Sequence, residues 1–287
     1  MTDNLFVTHR SLLFTVAYEM LGSAADAEDV VQETWLRWAD VDQTDVHDAR
    51  AYLVRIVTRL ALNRLRALAR RREDYIGEWL PEPVLTSPDA AEDTELAENV
   101  SIAMLTVLET LGPAERAVFV LHDVFETPFE EIAEVVGKTP AAVRQIAHRA
   151  REHVAARRPR MQVDRAEQQA AVEKFMAAIS TGDMQGLAEV LAPDVVLIAD
   201  GGGVVAAARK PINGVAKVLA LLTHAMKLPG FAATPAWLNG KPGVRIDIGG
   251  ASAAVSLVVE GGRITRIYSI GNPHKLGGLE KVVELRR

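Results

Sequence analysis

Apolar residues recur at helical spacing through the first half of the chain and at strand spacing near its end. Residues 50–72 contain no Gly or Pro, and Leu53, Ile56, Val57, Leu60 and Leu68 fall on one stripe, which predicts a single helix. A second amphipathic helix is predicted upstream, starting at Asp26. Val30, Val31, Thr34, Trp35 and Trp38 form its apolar face, Gln32 and Glu33 look elsewhere, and Asp26, Glu28 and Asp29 suit its first turn. Tryptophans at that spacing are core residues more often than contact residues. Between Pro128 and Arg151 two apolar stripes meet at Gly137. Ile132 and Val136 lie before it, Val143 and Ile146 after it. Ala133 is small where two helices cross, Gly137 permits the turn, and Thr139 can cap a new helix with Pro140 at its first position. The pattern predicts a helix-turn-helix.

The C-terminal part reads differently. Helices are predicted over 166–180, 186–191 and 214–226, and an apolar strand over 195–199 runs into the glycines at 201–203. Strand-like runs follow around 231–238, 243–248, 251–260 and 263–270. Breaks at Gly240–Gly243, Gly249-Gly250 and Gly261-Gly262 separate them. Helices followed by an antiparallel meander predict an α+β domain, so the expected fold is multidomain: helical domains first, then α+β.

Length agrees with this division. The 287 residues are 49% hydrophobic, ample for packed cores in two or three domains. No cysteine is present, which excludes disulfides, thiolate metal sites and cysteine nucleophiles. No apolar run approaches a membrane span, and the N-terminal residues lack the signature of a signal peptide. A cytoplasmic protein with no membrane partner is expected.

The net charge of -6 argues against nucleic-acid binding only until the charge is placed along the chain. Arg50 to Arg72 holds eight arginines and no acid. Lys138 to Arg160 holds seven basic residues against Glu152 alone. Between them, Glu82 to Asn99 carries six acids and no base, and Pro81, Pro83 and Pro88 discourage a continuous helix there. Two basic blocks flank an acidic linker, a plan that fits interaction surfaces as well as solvated helix faces.

In the first block Arg55, Arg59, Arg66 and Arg70 fall within an arc of about 60° at roughly 100° per residue. They have no intrahelical acid to pair with, and a phosphate backbone would supply the missing charge. Asn63 lies beside them and could bond a base edge. In the second block the second helix of the helix-turn-helix exposes Arg144, Gln145, His148, Arg149 and Arg151 beyond the Thr139 cap. Arginine can read guanine and glutamine adenine in a major groove, while some of these contacts would go to phosphates only.

The string Asp26-Ala-Glu-Asp-Val-Val-Gln-Glu-Thr-Trp-Leu-Arg resembles the polymerase-binding helix of bacterial sigma factors of the extracytoplasmic-function group. The helix from Ala51 to Arg72 resembles their -10-reading helix, and residues 128–154 their -35-reading helix-turn-helix. Trp79-Leu-Pro-Glu-Pro83, Asp200-Gly-Gly-Gly203 and Asn272-Pro-His-Lys-Leu276 resemble, in that order, the sigma-J-like subgroup with a fused SnoaL-like (NTF2-like) domain. Family members commonly continue the glycine run with lysine, where this chain has Val204. The resemblance implies a region-2 domain over 1–76, a linker over 77–98, a region-4 domain over 99–158 and a SnoaL-like cone over 165–287. It implies core polymerase and promoter DNA as partners. Asp26, Glu28, Asp29, Gln32, Glu33, Trp35 and Leu36 would face the polymerase; Arg55, Arg59, Asn63, Arg66 and Arg70 the -10 element; Thr139, Arg144, Gln145, His148, Arg149 and Arg151 the -35 element.

Regulation in cis is the expected role of the last domain. Trp79, Leu80, Pro81, Glu82 and Pro83 would meet Asp200, Gly201, Gly202 and Gly203, with Asn272, Pro273, Lys275 and Leu276 close by. Asp200 would accept the indole N–H of Trp79. A SnoaL-like cone could also take a small-molecule ligand. The competing class is a ligand-sensing DNA-binding regulator, or an enzyme with a DNA-binding front end. Asp200, Asp247, His224 and His274 are its polar candidates, and no two have a spacing that implies cooperation. No catalytic residue, metal site or cofactor is expected.

Overall fold

A computed structural model describes residues 2–42, 46–69, 75–88, 93–157 and 165–287. The chain divides into two compact units. Unit 1 holds residues 1–74, 104–158 and 284–287, and unit 2 holds 75–103 and 159–283. The sequence boundaries at 76/77 and 98/99 therefore sit beside a different grouping, in which the segment expected as a linker packs with the C-terminal domain.

Unit 1 begins with α1 (Thr2–Leu21), α2 (Ala24–Ala39) and α3 (Ala49–Ala69), each packed on the other two. Gly22 ends α1 at φ +67, and Ser23 then caps α2 by accepting from the Asp26 N–H at 3.1 Å. Of the apolar stripe read from the sequence, Leu53, Val57 and Leu60 of α3 are in the core beside Val30, Val31 and Trp38 of α2, while Ile56 and Leu68 are half-buried. Arg70 lies outside the described residues.

The second half of unit 1 follows α4 (Thr94–Asn99) and starts within α5 (Ile102–Leu108), continuing through α6 (Pro113–Phe119). A π-helical turn, Val120–Val124, widens the end of α6. Then come α7 (Phe129–Val136) and α8 (Pro140–Arg157). Gly137 takes the left-handed conformation that the turn needs, at φ +69, and Thr139 Oγ1 accepts from the Ala142 N–H at 3.3 Å. Ile132, Ala133, Val136, Val143 and Ile146 are buried between the two helices, the expected helix-turn-helix. α3 packs against both α6 and α7.

Unit 2 holds α9 (Arg165–Thr181), α10 (Met184–Val190), α11 (Val215–Met226) and six strands. These are β1 (Leu191–Asp200), β2 (Ile212–Asn213), β3 (Ala232–Leu238), β4 (Lys241–Ile248), β5 (Ala251–Glu260) and β6 (Arg263–Ile270), in the order β2-β1-β6-β5-β4-β3. The meander from β3 to β6 is antiparallel as expected. β1 joins it parallel to β6, so the sheet is mixed. The β3–β4 turn is Asn239-Gly240 rather than the expected break at 240–243. Both residues have positive φ, at 54° and 72°, as a two-residue hairpin demands. Phe175, Leu187, Leu197, Val218, Leu222, Val255 and Ile267 fill the space between sheet and helices, the expected α+β arrangement.

Candidate polymerase, promoter and linker sites

On α2 the apolar face divides. Trp38 is buried, while Trp35 is 40% exposed beside the exposed Leu36, Gln32 and Glu33. The acids of the first turns are organised from other helices. Arg64 of α3 donates through Nε to Asp26 Oδ1 at 2.8 Å and approaches Asp29 at 3.9 Å, and Arg10 of α1 pairs with Glu28 at 2.6 Å. Glu33 pairs with Arg37 one turn on, at 2.8 Å. A recess of about 280 Å³ lies along this face, lined by Phe6, Arg10, Glu28, Val31, Gln32 and Trp35. Arg64 and Arg10 escaped the sequence reading because their acid partners lie on other helices.

On α3, Arg59, Asn63 and Arg66 are exposed and Arg55 is half-buried. The charge missing within the helix is supplied in part from α7. Arg55 Nη1 lies 3.5 Å from Glu134 Oε2, and Arg59 Nη2 donates to the Glu134 carbonyl at 3.2 Å. The Arg66 guanidinium approaches Asn63 Oδ1 at 3.4 Å. Phosphate is therefore not the sole possible counter-charge for this stripe.

The outward side chains of α8 fall into two groups. Gln145, His148 and Arg149 face solvent, with Arg149 at 4.0 Å from Glu115 and His148 at 3.6 Å from Glu152. Arg144 is aimed by its surroundings. It pairs with Glu130 at 3.4 Å and lies 6.0 Å over Phe129, whose ring stacks on His122 at 3.9 Å. Arg151 differs: its Nε donates to Asp123 Oδ1 at 2.5 Å, which ties α8 back to the π-helical turn.

In unit 2 the three rare strings meet around one carboxylate. Asp200, at the end of β1, is 1% exposed. Its Oδ1 accepts from Tyr75 Oη at 2.5 Å and from the Gly202 N–H at 3.0 Å. Its Oδ2 accepts from the Leu80 N–H at 2.9 Å and from Lys275 Nζ at 2.7 Å. The Asp200 carbonyl accepts from the N–H groups of Gly271 and Asn272. Lys275 also donates to the Leu80 carbonyl at 2.6 Å, and its ammonium sits 3.2 Å from the Trp79 ring centre and 4.8 Å from that of Tyr75. Asn272 donates to Tyr75 Oη at 2.9 Å, and a Cβ on Gly202, at φ +60, would run into the Asn272 amide. Burial, with the Asp200 carboxylate beside it, pushes the Tyr75 phenol above its ordinary range.

This corrects the expected contact. Trp79 offers Lys275 its ring face, and the groups that meet the Asp200 carboxylate are the Leu80 and Gly202 amides, the Tyr75 phenol and the Lys275 ammonium. Val204, which follows the glycine run, is 57% exposed; Lys275 is the cation at the hub. Tyr75 lies four residues before the rare string, in irregular chain where no periodicity marks it.

Downstream the segment lies along the sheet. Leu85 bridges Leu238 antiparallel and Val282 parallel. The Thr86 N–H donates to the Trp237 carbonyl at 2.9 Å. Asn239 accepts from the Val84 N–H at 3.1 Å and donates to the Val100 carbonyl at 2.8 Å. Pro81 and Pro83 are buried, Glu82 is half-buried, and Leu80 shares a core with Ile102, Val258, Tyr268 and Ile270. Of the enzyme candidates, Asp200 is taken by Lys275, Asp247 by Arg245 and Ser252, and His224 and His274 are exposed.

Comparison with known proteins fits both halves. The family described as Sigma-70 region 2 matches residues 5–71, and the family described as Sigma-70, region 4 matches residues 101–154. The chain is 38% identical to the ECF RNA polymerase sigma factor SigJ of Mycobacterium tuberculosis, over 95% of this chain and 92% of that one. The chain belongs to the extracytoplasmic-function sigma factors. It is also 33% identical to a probable ECF RNA polymerase sigma factor, SigI, of the same organism, over 94% and 93% of the two chains. A crystal structure of M. tuberculosis SigJ superposes with a TM-score of 0.77 at 36% identity, covering 95% of this sigma factor and 97% of that chain. Region 2 of this sigma factor is α1–α3, and region 4 spans α5–α8. No helix among the described residues is long and apolar enough to cross a membrane.

Proposed function

We propose that this sigma factor directs core polymerase to promoters in the cytoplasm, and that its C-terminal domain governs it in cis by gripping the segment between regions 2 and 4. The observation that carries the proposal is the Asp200 hub. Residues 75–88, the stretch that must pay out when the two regions separate, are bonded to β1, the β3–β4 turn and the 272–276 turn.

The exposed strip of α2 around Gln32, Glu33, Trp35 and Leu36 is the polymerase-facing surface. Arg55, Arg59, Asn63 and Arg66 face the -10 element, and Arg144, Gln145, His148 and Arg149 the -35 element. The two promoter elements lie about 70–85 Å apart along B-DNA, at 34–36 Å per turn. Yet Arg59 of α3 touches Glu134 of α7. The arrangement of unit 1 is thus a closed one that cannot engage both elements, and opening requires slack in residues 75–103. A small-molecule effector of the C-terminal domain would act through the recess of about 570 Å³ lined by Gly271, Pro273 and Leu276, beside the hub.

Run-off transcription with core polymerase tests this reading. Asp200→Asn in the full chain weakens the hold of Lys275 and changes transcript yield from a cognate promoter several-fold, while core binding is kept. Equal yield from the two proteins contradicts control through the hub.

A further inference from the structure

Glu19 lies two residues from the end of α1 and is wholly buried, and among the described residues neither of its carboxylate oxygens meets a hydrogen-bond partner. Beside it is Arg116 of α6, 1% exposed. Arg116 Nε donates to the Glu19 carbonyl at 3.0 Å and Nη1 donates to Glu109 Oε1 at 2.7 Å, while Nη2 meets no partner among the described residues. Glu109 lies against Gly22, where any Cβ would collide with its carboxylate, so the glycine is what admits it. The cluster therefore joins α1 of region 2 to the segment from Glu109 to Arg116 of region 4.

We propose that Glu19, Arg116 and Glu109 form a proton-binding latch between the two regions, closed while the Glu19 carboxyl keeps its proton and released when it ionises. The proposal rests on the reading above that unit 1 must open. Buried ionic clusters hold less well than apolar side chains of the same volume, so this seam closes specifically without closing tightly. Arg116 already has Glu109 as counter-charge. A carboxylate on Glu19 would be a second buried anion without a hydrogen bond, and opening the seam would hydrate it.

The charges follow from burial. Burial raises Glu19 from 4.5 to about 8, and the Arg116 charge offsets only part of this. Burial pulls Arg116 below its ordinary value, opposed by Glu19 and Tyr18, and the guanidinium keeps its charge. The titratable groups that face this pair are Tyr18 from α1 and Glu109, which is paired with Arg116, from the segment before α6. A carboxyl whose closed-state value is raised stabilises the closed form fully below its free value. That contribution is lost as pH climbs from 4.5 through about 8.

The absence of cysteine makes the test direct, because Ala67→Cys on α3 and Ala156→Cys on α8 introduce two unique dye positions, both exposed. Energy transfer in the free full-length protein should report a short separation at pH 6.5 that lengthens between pH 7 and 9. Glu19→Gln should stay short throughout, and Glu19→Leu, which cannot ionise or donate, should do the same. A short separation that ignores pH overturns the latch alone. A long separation at every pH overturns the closed reading of unit 1 and the latch with it. Lengthening in Glu19→Gln that matches the wild type, or loss of helical circular dichroism in step with the change, also overturns the latch.

Discussion

Lys275 holds its ammonium 2.7 Å from Asp200 Oδ2 and 3.2 Å above the centre of the Trp79 ring. Both charges are buried, and the aromatic faces of Trp79 and Tyr75 replace part of the water that the lysine gave up. Because Lys275 also donates to the Leu80 carbonyl, one side chain reads the sheet and the linker segment together.

Removing the lysine leaves Asp200 as a buried anion with three donors in place of four. Lys275→Met should cost about 3–5 kcal/mol, the range for breaking a buried pair from one side. Denaturant unfolding of the full chain checks it. A loss below about 1 kcal/mol would place the pair among the weak surface bridges and contradict the buried geometry. Lys275→Met combined with Asp200→Asn should recover part of the loss, since no uncompensated charge remains.

Asn239 ties the β3–β4 turn to the linker segment through its side chain, bonding Val84 and Val100. Asn239→Gly keeps the positive-φ turn but leaves two buried backbone groups unpaired, at about 1–3 kcal/mol each. Hydrogen exchange at the Val84 amide should quicken by at least tenfold. Exchange that matches the wild type would show that the segment is held without this residue.

On α8, Arg149 and Arg151 should behave differently. Arg149→Ala removes an exposed cation and should lower the slope of log affinity against log salt by about 0.9, one phosphate contact. Arg151→Ala severs the bond to Asp123 of the π-helical turn, so it should lower the melting temperature as well. Asp123→Ala should reproduce that fall with the salt slope unchanged. If both arginine variants leave the melting temperature alone and shift the slope equally, Arg151 is a DNA contact like its neighbour.

Glu134 faces Arg55 and Arg59 across unit 1 from an exposed position. Glu134→Ala should alter stability by less than about 1 kcal/mol, because exposed pairs contribute little. Its effect should appear as tighter binding of a -10 single strand by the free protein. The reverse sign would mean that Glu134 aids the arginines in place of occupying them.

Much of this was legible in the residues, for physical reasons. Helices with a clear stripe, such as α3, and caps with one chemical solution, such as Gly137-Lys-Thr139-Pro140, declare themselves locally. So do two-residue Gly-Gly hairpin turns. What the sequence hides is pairing at a distance. Tyr75 and Asp200 are 125 residues apart, and Arg55 and Glu134 are 79 apart. Nothing in the period of either segment specifies these partners. The parallel pairing of β1 with β6 was hidden likewise, because strand periodicity shows which face is buried but not which neighbour lies alongside. The acidic, proline-bearing stretch from Glu82 read as a linker because prolines suppress a helix. They equally suit an extended strap pinned by its amides, which is what Val84, Leu85 and Thr86 form.

The most direct test of control through the hub is promoter-specific run-off transcription by core polymerase with wild-type protein and with Lys275→Met, read beside hydrogen exchange at the Leu80 amide. Exchange at Leu80 should quicken and transcript yield should change several-fold while core affinity stays constant. Quickened exchange with an unchanged yield would contradict that control, because the linker segment would then be free and the sigma factor indifferent to its release.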